Sequence, residues 1–258
     1  MLSHIIEQIE RDLAWVHSLI EDHLRIKAGY LGSFANLELS PINQNIRPAL
    51  VILSSRIFGN IPEKTVVLAS VFQFIYMAAN VQRSVSESDT QTFGVPDDPS
   101  LGSQFPVLVG DYLYGTFFTL ISEAGMLNLL SPLAEIICHI HEGGLMKQKL
   151  KLQALPNMAF RDAIQKESAE LFGGCCSLGA QLAGASLADQ KTMKRFGKSL
   201  GMAYGLLAEG VKVEHVAPYL HAAKEELYLI PCRPERLWLE KLVCNLSGQG
   251  LAACRMVI

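Results

Sequence analysis

The 258 residues hold no C-x-x-C spacing, no run that alternates apolar and polar residues like a strand, and no repeat at a fixed period. Each absence removes a class of protein. Of the six cysteines, Cys138, Cys175, Cys176, Cys232, Cys244 and Cys254, the only close pair is adjacent, which suits neither a zinc knuckle nor an easy disulfide. A reduced, cytoplasmic chain is expected. The first eleven residues carry acidic groups early and lack the basic start and apolar core of a signal peptide, so no export is expected. Cys254 is fifth from the end and is not part of a prenylation box.

Charge is also scarce. Charged residues make up 18% of the chain and the formal net charge is −3, a balance that excludes a nucleic-acid coat. Half of the residues are hydrophobic, enough for a sizeable core and too many for disorder. A chain this short of charge hides part of its surface, so an oligomer interface is expected. Two uncharged stretches of 18 residues, 65–82 and 171–188, invite a membrane reading. The first contains Gln73, Asn80 and Gln82 and the second is mostly Gly, Ala, Ser and Cys, so both read as core helices and no transmembrane segment is expected.

What is present is helical periodicity. Ile5, Ile6, Ile9, Leu13, Val16, Ile20 and Leu24 recur at steps of three and four, with Ser3 as a plausible N-cap. Similar stripes run through 47–58, 64–82, 107–123, 133–150, 160–185, 189–209, 216–229 and 235–246, separated by glycine and proline breakers that include Pro41, Pro132, Pro156 and Pro218. The spacing predicts an all-α fold of about ten helices in one domain spanning 1–258. The one long irregular stretch, 89–105, follows directly on a helix and is where a helical enzyme would keep a lid.

Four runs carry a family resemblance: Asn45-Ile46-Arg47-Pro48-Ala49-Leu50-Val51-Ile52-Leu53-Ser54, Val107-Leu108-Val109-Gly110-Asp111-Tyr112-Leu113, Leu178-Gly179-Ala180-Gln181-Leu182-Ala183-Gly184-Ala185, and Leu200-Gly201-Met202-Ala203-Tyr204. In this order, with Glu142-Gly143-Gly144 where the family has a Glu-Gly pair, they resemble the trans-type polyprenyl diphosphate synthases. The resemblance implies the all-α isoprenoid synthase bundle. It also implies chemistry in which an allylic diphosphate ionises while Mg²⁺, held by two Asp-Asp-x-x-Asp motifs, stabilises the leaving charge.

Those motifs are degraded here. The first aligns with Arg83-Ser84-Val85-Ser86-Glu87 and the second with Ala208-Glu209-Gly210-Val211-Lys212, leaving Glu87 and Glu209 as residual metal candidates. Glu214 is five residues beyond Glu209, about 140° around a helix, and does not restore the pair. In the family's Gly-Lys-x-x-Arg-Pro motif the lysine has become Gln44 while Arg47 remains, a residual diphosphate ligand. The family histidine aligns with Tyr76, and the lysine of the Lys-Thr-Ala motif aligns with Glu167. Ala78 and Ala79 align with the positions that gate product length, where small side chains would leave a tunnel open.

Each residue also has a plainer account. Arg47 could serve a structural ion pair, Ala78 and Ala79 close helix packing, and Glu87, Asp89 and Glu209 solvated charge. Asp97 and Asp98 fall on a Pro/Gly loop, and His139 and His141, two residues apart on a helix, face different ways.

Losing both metal motifs and most phosphate ligands together resembles the family's non-catalytic small subunits, of the component I type in heptaprenyl diphosphate synthase. The resemblance implies a regulatory subunit without catalytic residues of its own. Its partner would be a catalytic polyprenyl synthase subunit carrying Mg²⁺, or a second copy in a homodimer. Two alternatives remain: an active prenyltransferase using Glu87 and Glu209, and a protein that holds an isoprenoid or prenyl diphosphate without turnover.

Overall fold

The computed structural model describes residues 9–26, 29–31, 39–59, 61–83, 104–150 and 158–248. Ser3, Ile5, Ile6, Glu87, Asp89, Asp97, Asp98 and Cys254 lie outside them, as does all but the end of the expected lid stretch. Helix α1 (Glu10–Leu24) leads into a two-residue antiparallel pairing of β1 (Arg25–Ile26) with β2 (Gly29–Tyr30), a small departure from the expected absence of strands. Helices α2 (Pro41–Phe58), α3 (Pro62–Arg83), α4 (Gln104–Glu123) and α5 (Leu130–Leu150) follow, the last entered through a 3₁₀ turn. The rest of the bundle is α6 (Met158–Ile164), α7 (Glu170–Leu182), α8 (Leu187–Ala208), α9 (Val213–Tyr228) and α10 (Pro234–Gly248). The architecture is all-α.

Proline placement corrects the expected boundaries. Pro41 opens α2 instead of breaking the chain, because its fixed φ suits the first helical position, and α2 starts six residues before the periodic stripe. Pro48 lies inside the same helix and supplies no backbone donor for the carbonyl four residues earlier. Two side chains nearby donate to other carbonyls of the same helix: Asn45 to that of Pro41 at 2.7 Å, and Arg47 Nη1 to that of Asn43 at 2.9 Å. Pro218 likewise falls within α9.

Helix α3 is the centre of the packing. It touches α1, α2, α4, α5 and α7, and its Phe72, Phe74 and Ile75 are fully buried. Burying a side chain of this size contributes roughly 1.5–3 kcal/mol. By length and composition α3 could cross a membrane, yet 78% of its apolar window is buried inside the fold, the mark of a core helix. A partly buried ion pair, Arg56 to Asp12 at 2.8 Å, ties α1 to α2.

The expected single helix over 160–185 is interrupted. Residues Gln165–Ala169 form a π-turn between α6 and α7, a geometry that is frequent at functional sites. Helix α8 packs closely on this turn because Gly201 and Gly205 present no side chain to it, and Gly197 lies in the same way against the backbone of α7 at Phe172 and Gly173. A Cβ on Gly201 would come within 2.7 Å of the Ser168 carbonyl oxygen and 2.8 Å of Ala169 Cα. Gly143 of α5 does the same from the other side, its absent Cβ being 2.7 Å from the Ala163 carbonyl oxygen and 2.8 Å from the Glu167 nitrogen. Two helices thus clamp the π-turn.

Gly201→Ala is expected to destabilise the fold by about 1–3 kcal/mol, since the obstructing atoms are mostly backbone. Gly115→Ala, on an exposed face of α4 with nothing within 4 Å, is expected to stabilise by about 0.5–1 kcal/mol through helix propensity alone. Urea denaturation of both variants checks the opposite signs.

Candidate functional site

A cavity of about 200 Å³ opens where the C-terminal part of α3 and the end of α8 meet α2, α5 and the π-turn. Its polar lining comes from all five elements: Asn43 and Arg47, Tyr76 with Asn80 and Arg83, Lys147, Glu167 with Ser168, and Tyr204 with Glu209. Ile140, Ile164, Leu171 and Phe172 supply apolar wall.

Four charged side chains join across this space. Arg83 of α3 pairs with Glu167 of the π-turn, Lys147 of α5 reaches the other Glu167 oxygen at 2.9 Å, and Lys147 also pairs with Glu209 beyond the end of α8. The chain Arg83, Glu167, Lys147, Glu209 therefore stitches three helices and the π-turn together. Gly143 is one helical turn before Lys147, so the missing side chain that lets α5 approach the π-turn also delivers the ammonium to Glu167. Arg83 sits at the rim, its side chain 36% exposed. Partial burial draws its guanidinium pKa down. Nearby Tyr76 and Glu209 act the other way, and Arg47 adds repulsion.

Arg47 is different. Only 2% exposed, it lays its guanidinium over the Tyr76 ring, 3.2 Å from the centroid, an arrangement worth about 2 kcal/mol when desolvated. Its Nη1 donates to the Asn43 carbonyl oxygen, while its Nε finds no acceptor and, among the described residues, no carboxylate pairs with it. Asn43 is held in turn: its carbonyl accepts from Gln73 Nε2 at 3.0 Å and its side-chain oxygen from the Tyr204 hydroxyl at 2.6 Å.

Arg47 and Glu209 thus come together in one cavity, and Tyr76 and Glu167 join them there. Ala78 and Ala79 are buried in α3, and neither lines this cavity. Gln44 faces outward and donates to the Leu39 carbonyl at 2.9 Å. Glu142 is on the exposed side of α5, paired with Lys166 at 2.6 Å, which lowers its carboxyl pKa. His141 accepts or donates a 2.6 Å bond with the Tyr114 hydroxyl. Burial keeps the Cys175 and Cys176 thiols protonated, the latter pushed up to about 12, which makes both inert. Sequence reasoning did not single out Lys147, whose role depends on which helix lies opposite it. The Gly-Gly step before it was the available signal.

A polyprenyl synthetase family model matches residues 97–207, a range that stops short of Glu209 and omits Arg47, Tyr76 and Arg83. Octaprenyl diphosphate synthase of Escherichia coli K12 is 25% identical over 80% of this chain; the chain spans 64% of that relative's length, less than two thirds. A decaprenyl diphosphate synthase structure from Rhodobacter capsulatus superposes with a TM-score of 0.80 at 18% identity, covering 96% of this chain and 99% of that one. The geranyl diphosphate synthase small subunit from Antirrhinum majus gives 0.73 at 16% identity, covering 93% and 98%. The structures show the all-α isoprenoid synthase fold, and the family model and the relatives support the polyprenyl synthetase family.

Mg²⁺, which that family implies, requires several free carboxylate oxygens. Glu167 lies between two cations, Glu209 is paired with Lys147, and Arg83 stands where the first motif opens. No group of three or more His, Cys, Asp or Glu among the described residues could share a metal. The described residues do not fit the ion.

Burial, reinforced by Arg83, lowers the His141 pKa below its ordinary 6.5. The unfolded chain therefore binds a proton that the folded chain resists, so stability is expected to fall as pH drops through 6.5 and to level off below the folded pKa. Chemical denaturation at pH 7.5 and 5.5 checks this. His141→Gln is expected to show the smaller loss.

Proposed function

We propose that the chain is a catalytically degenerate, regulatory subunit of a trans-polyprenyl diphosphate synthase, folded as one domain over 1–258 and acting in isoprenoid and quinone side-chain synthesis. The observation that carries this reading is the ion chain. Arg83 and Lys147 bring positive charge to the ground on which the family's carboxylates would gather metal ions, and they engage both described carboxylates of the cavity. Rebuilding a metal cage would need several of these pairs to be broken at once, each at the cost of leaving a partly buried charge unpaired. The likeness to a solved small subunit supports the same reading. In this reading the catalytic partner supplies both aspartate motifs and the Mg²⁺, while this chain supports the partner through a helical interface and helps set product length.

The names of the matched synthases favour a second reading, turnover by the single chain with Glu209 among its ligands. Mixing separates the two. The purified chain alone, given Mg²⁺, isopentenyl diphosphate and farnesyl diphosphate, is expected to form no product. Added to a synthase with intact aspartate motifs from the same source, it is expected to raise that enzyme's activity several-fold or to change its product length. Partner activity unchanged on mixing would sink the subunit role, and metal-dependent product from the single chain, lost in Glu209→Ala, would establish the second reading.

A further inference from the structure

Six of the thirteen large apolar side chains exposed among the described residues, Ile61, Leu127, Leu187, Tyr228, Leu229 and Leu237, sit in turns or in the helix ends beside them. The chain path brings them to one end of the bundle. Arg83 closes α3 and Glu209 follows α8 at the cavity, so the turn into α3 and the start of α8 lie at the opposite end, about 33 Å away along a helix of 22 residues. A Cβ on Gly59, in the turn ahead of α3, would be 3.1 Å from the Ala183 carbonyl oxygen, just ahead of α8, so these two turns touch. Helix α9 runs back along α8, with Arg195 paired to Glu226 at 2.7 Å, and carries Tyr228, Leu229 and the start of α10 to the same end. Helix α4 passes beside the end of α3, where Gln82 donates to Asp111 at 3.1 Å, and packs back along it to leave Leu127 at the far end as well.

Turns ordinarily carry polar and charged residues. Here residues 57–62, 124–134, 171–188 and 227–232 contain no charged side chain. Apolar tips on four separate turns form neither a helix stripe nor a groove that a partner helix could fill, but a planar apolar boundary meets them together. A lipid surface is such a boundary. Tyr228, an apolar ring ending in a hydroxyl, is of the type favoured at headgroup depth. The local charges select the sign of the lipid. Lys191, one turn into α8, and Arg233, beside the Leu229 turn, are exposed, whereas the nearby acids Glu63, Asp189 and Glu235 sit in the first turns of α3, α8 and α10, where the helix N-terminus offsets their charge.

We propose that this end of the bundle docks on an anionic lipid surface, with Leu187 and Leu229 entering the acyl boundary and Lys191 and Arg233 meeting the headgroup phosphates. The docking face is at the end of the bundle opposite the charged cavity. It therefore stands whichever reading of the cavity holds, and a chain that binds vesicles without affecting a catalytic partner would end the subunit role and leave the docking face.

Flotation of the full chain with phosphatidylcholine vesicles, with and without phosphatidylglycerol, tests it. Binding to the anionic vesicles is expected, at least about fivefold tighter than to phosphatidylcholine alone, since each cation near an anionic surface adds about that factor. Leu187→Asp and Leu229→Asp, made separately on two exposed positions and checked for native helicity, are each expected to weaken binding about tenfold. Phe118→Asp, on the exposed face of α4, is expected to leave it unchanged. Size-exclusion chromatography of the same variants identifies other occupants. An unchanged oligomeric state in Leu187→Asp and Leu229→Asp is expected, and dissociation of an oligomer by either would assign this end to a second copy and overturn the proposal. Absence of vesicle binding, equal binding to both vesicle types, or losses in Phe118→Asp that match those of the two leucine variants would overturn it as well.

Discussion

The pairing of Glu167 with Arg83 on one side and Lys147 on the other is the constraint around which the site is built. It requires a carboxylate projecting from the π-turn, a cation at the end of α3, and an ammonium one turn after the glycine that lets α5 come close. Without the π-turn, residues 165–169 would continue a regular helix and present a different face to the cavity. Without Gly143, α5 would stand off. The glycines of α8 hold the turn from behind, so a packing feature and an electrostatic feature depend on the same few ångströms of backbone approach.

Charge placement separates this cavity from a metal site built on the same scaffold. A divalent cation draws carboxylates together and needs them deprotonated and unpaired. Here fixed side-chain cations do the drawing. Arg83 and Lys147 are covalently part of the chain, so the neutralisation is permanent and costs no ligand binding. The exception is Arg47, whose guanidinium rests on Tyr76 in place of a carboxylate. An aromatic face offsets part of the desolvation of a cation, and the Arg47 Nε has no hydrogen-bond acceptor.

The clustering of buried aromatics in α3 and α7 gives the cavity a stiff floor. Phe72 and Phe172 are fully buried, and Phe172 lies 5.1 Å from the Tyr204 ring, whose hydroxyl holds Asn43. The positions expected to gate a product tunnel, Ala78 and Ala79, pack within this core.

The helical periodicity of the sequence was sufficient for the all-α fold and for nearly every element, because amphipathic stripes of this length have one way to bury themselves. The family resemblance, not the periodicity, marked Arg47 and Glu209 as survivors of a degraded pattern. The helix starts at prolines, the π-turn and the role of Lys147 were not legible. Proline reads equally as a breaker or an opener until its neighbours are known, and a π-turn depends on what presses against it. Tertiary structure alone decided that Arg83 and Glu167, opposite in sign to the residues of the family pattern, would meet each other. A one-dimensional reading shows each as a loss, and only the approach of α3 and α5 to the π-turn makes the two reversals a pair.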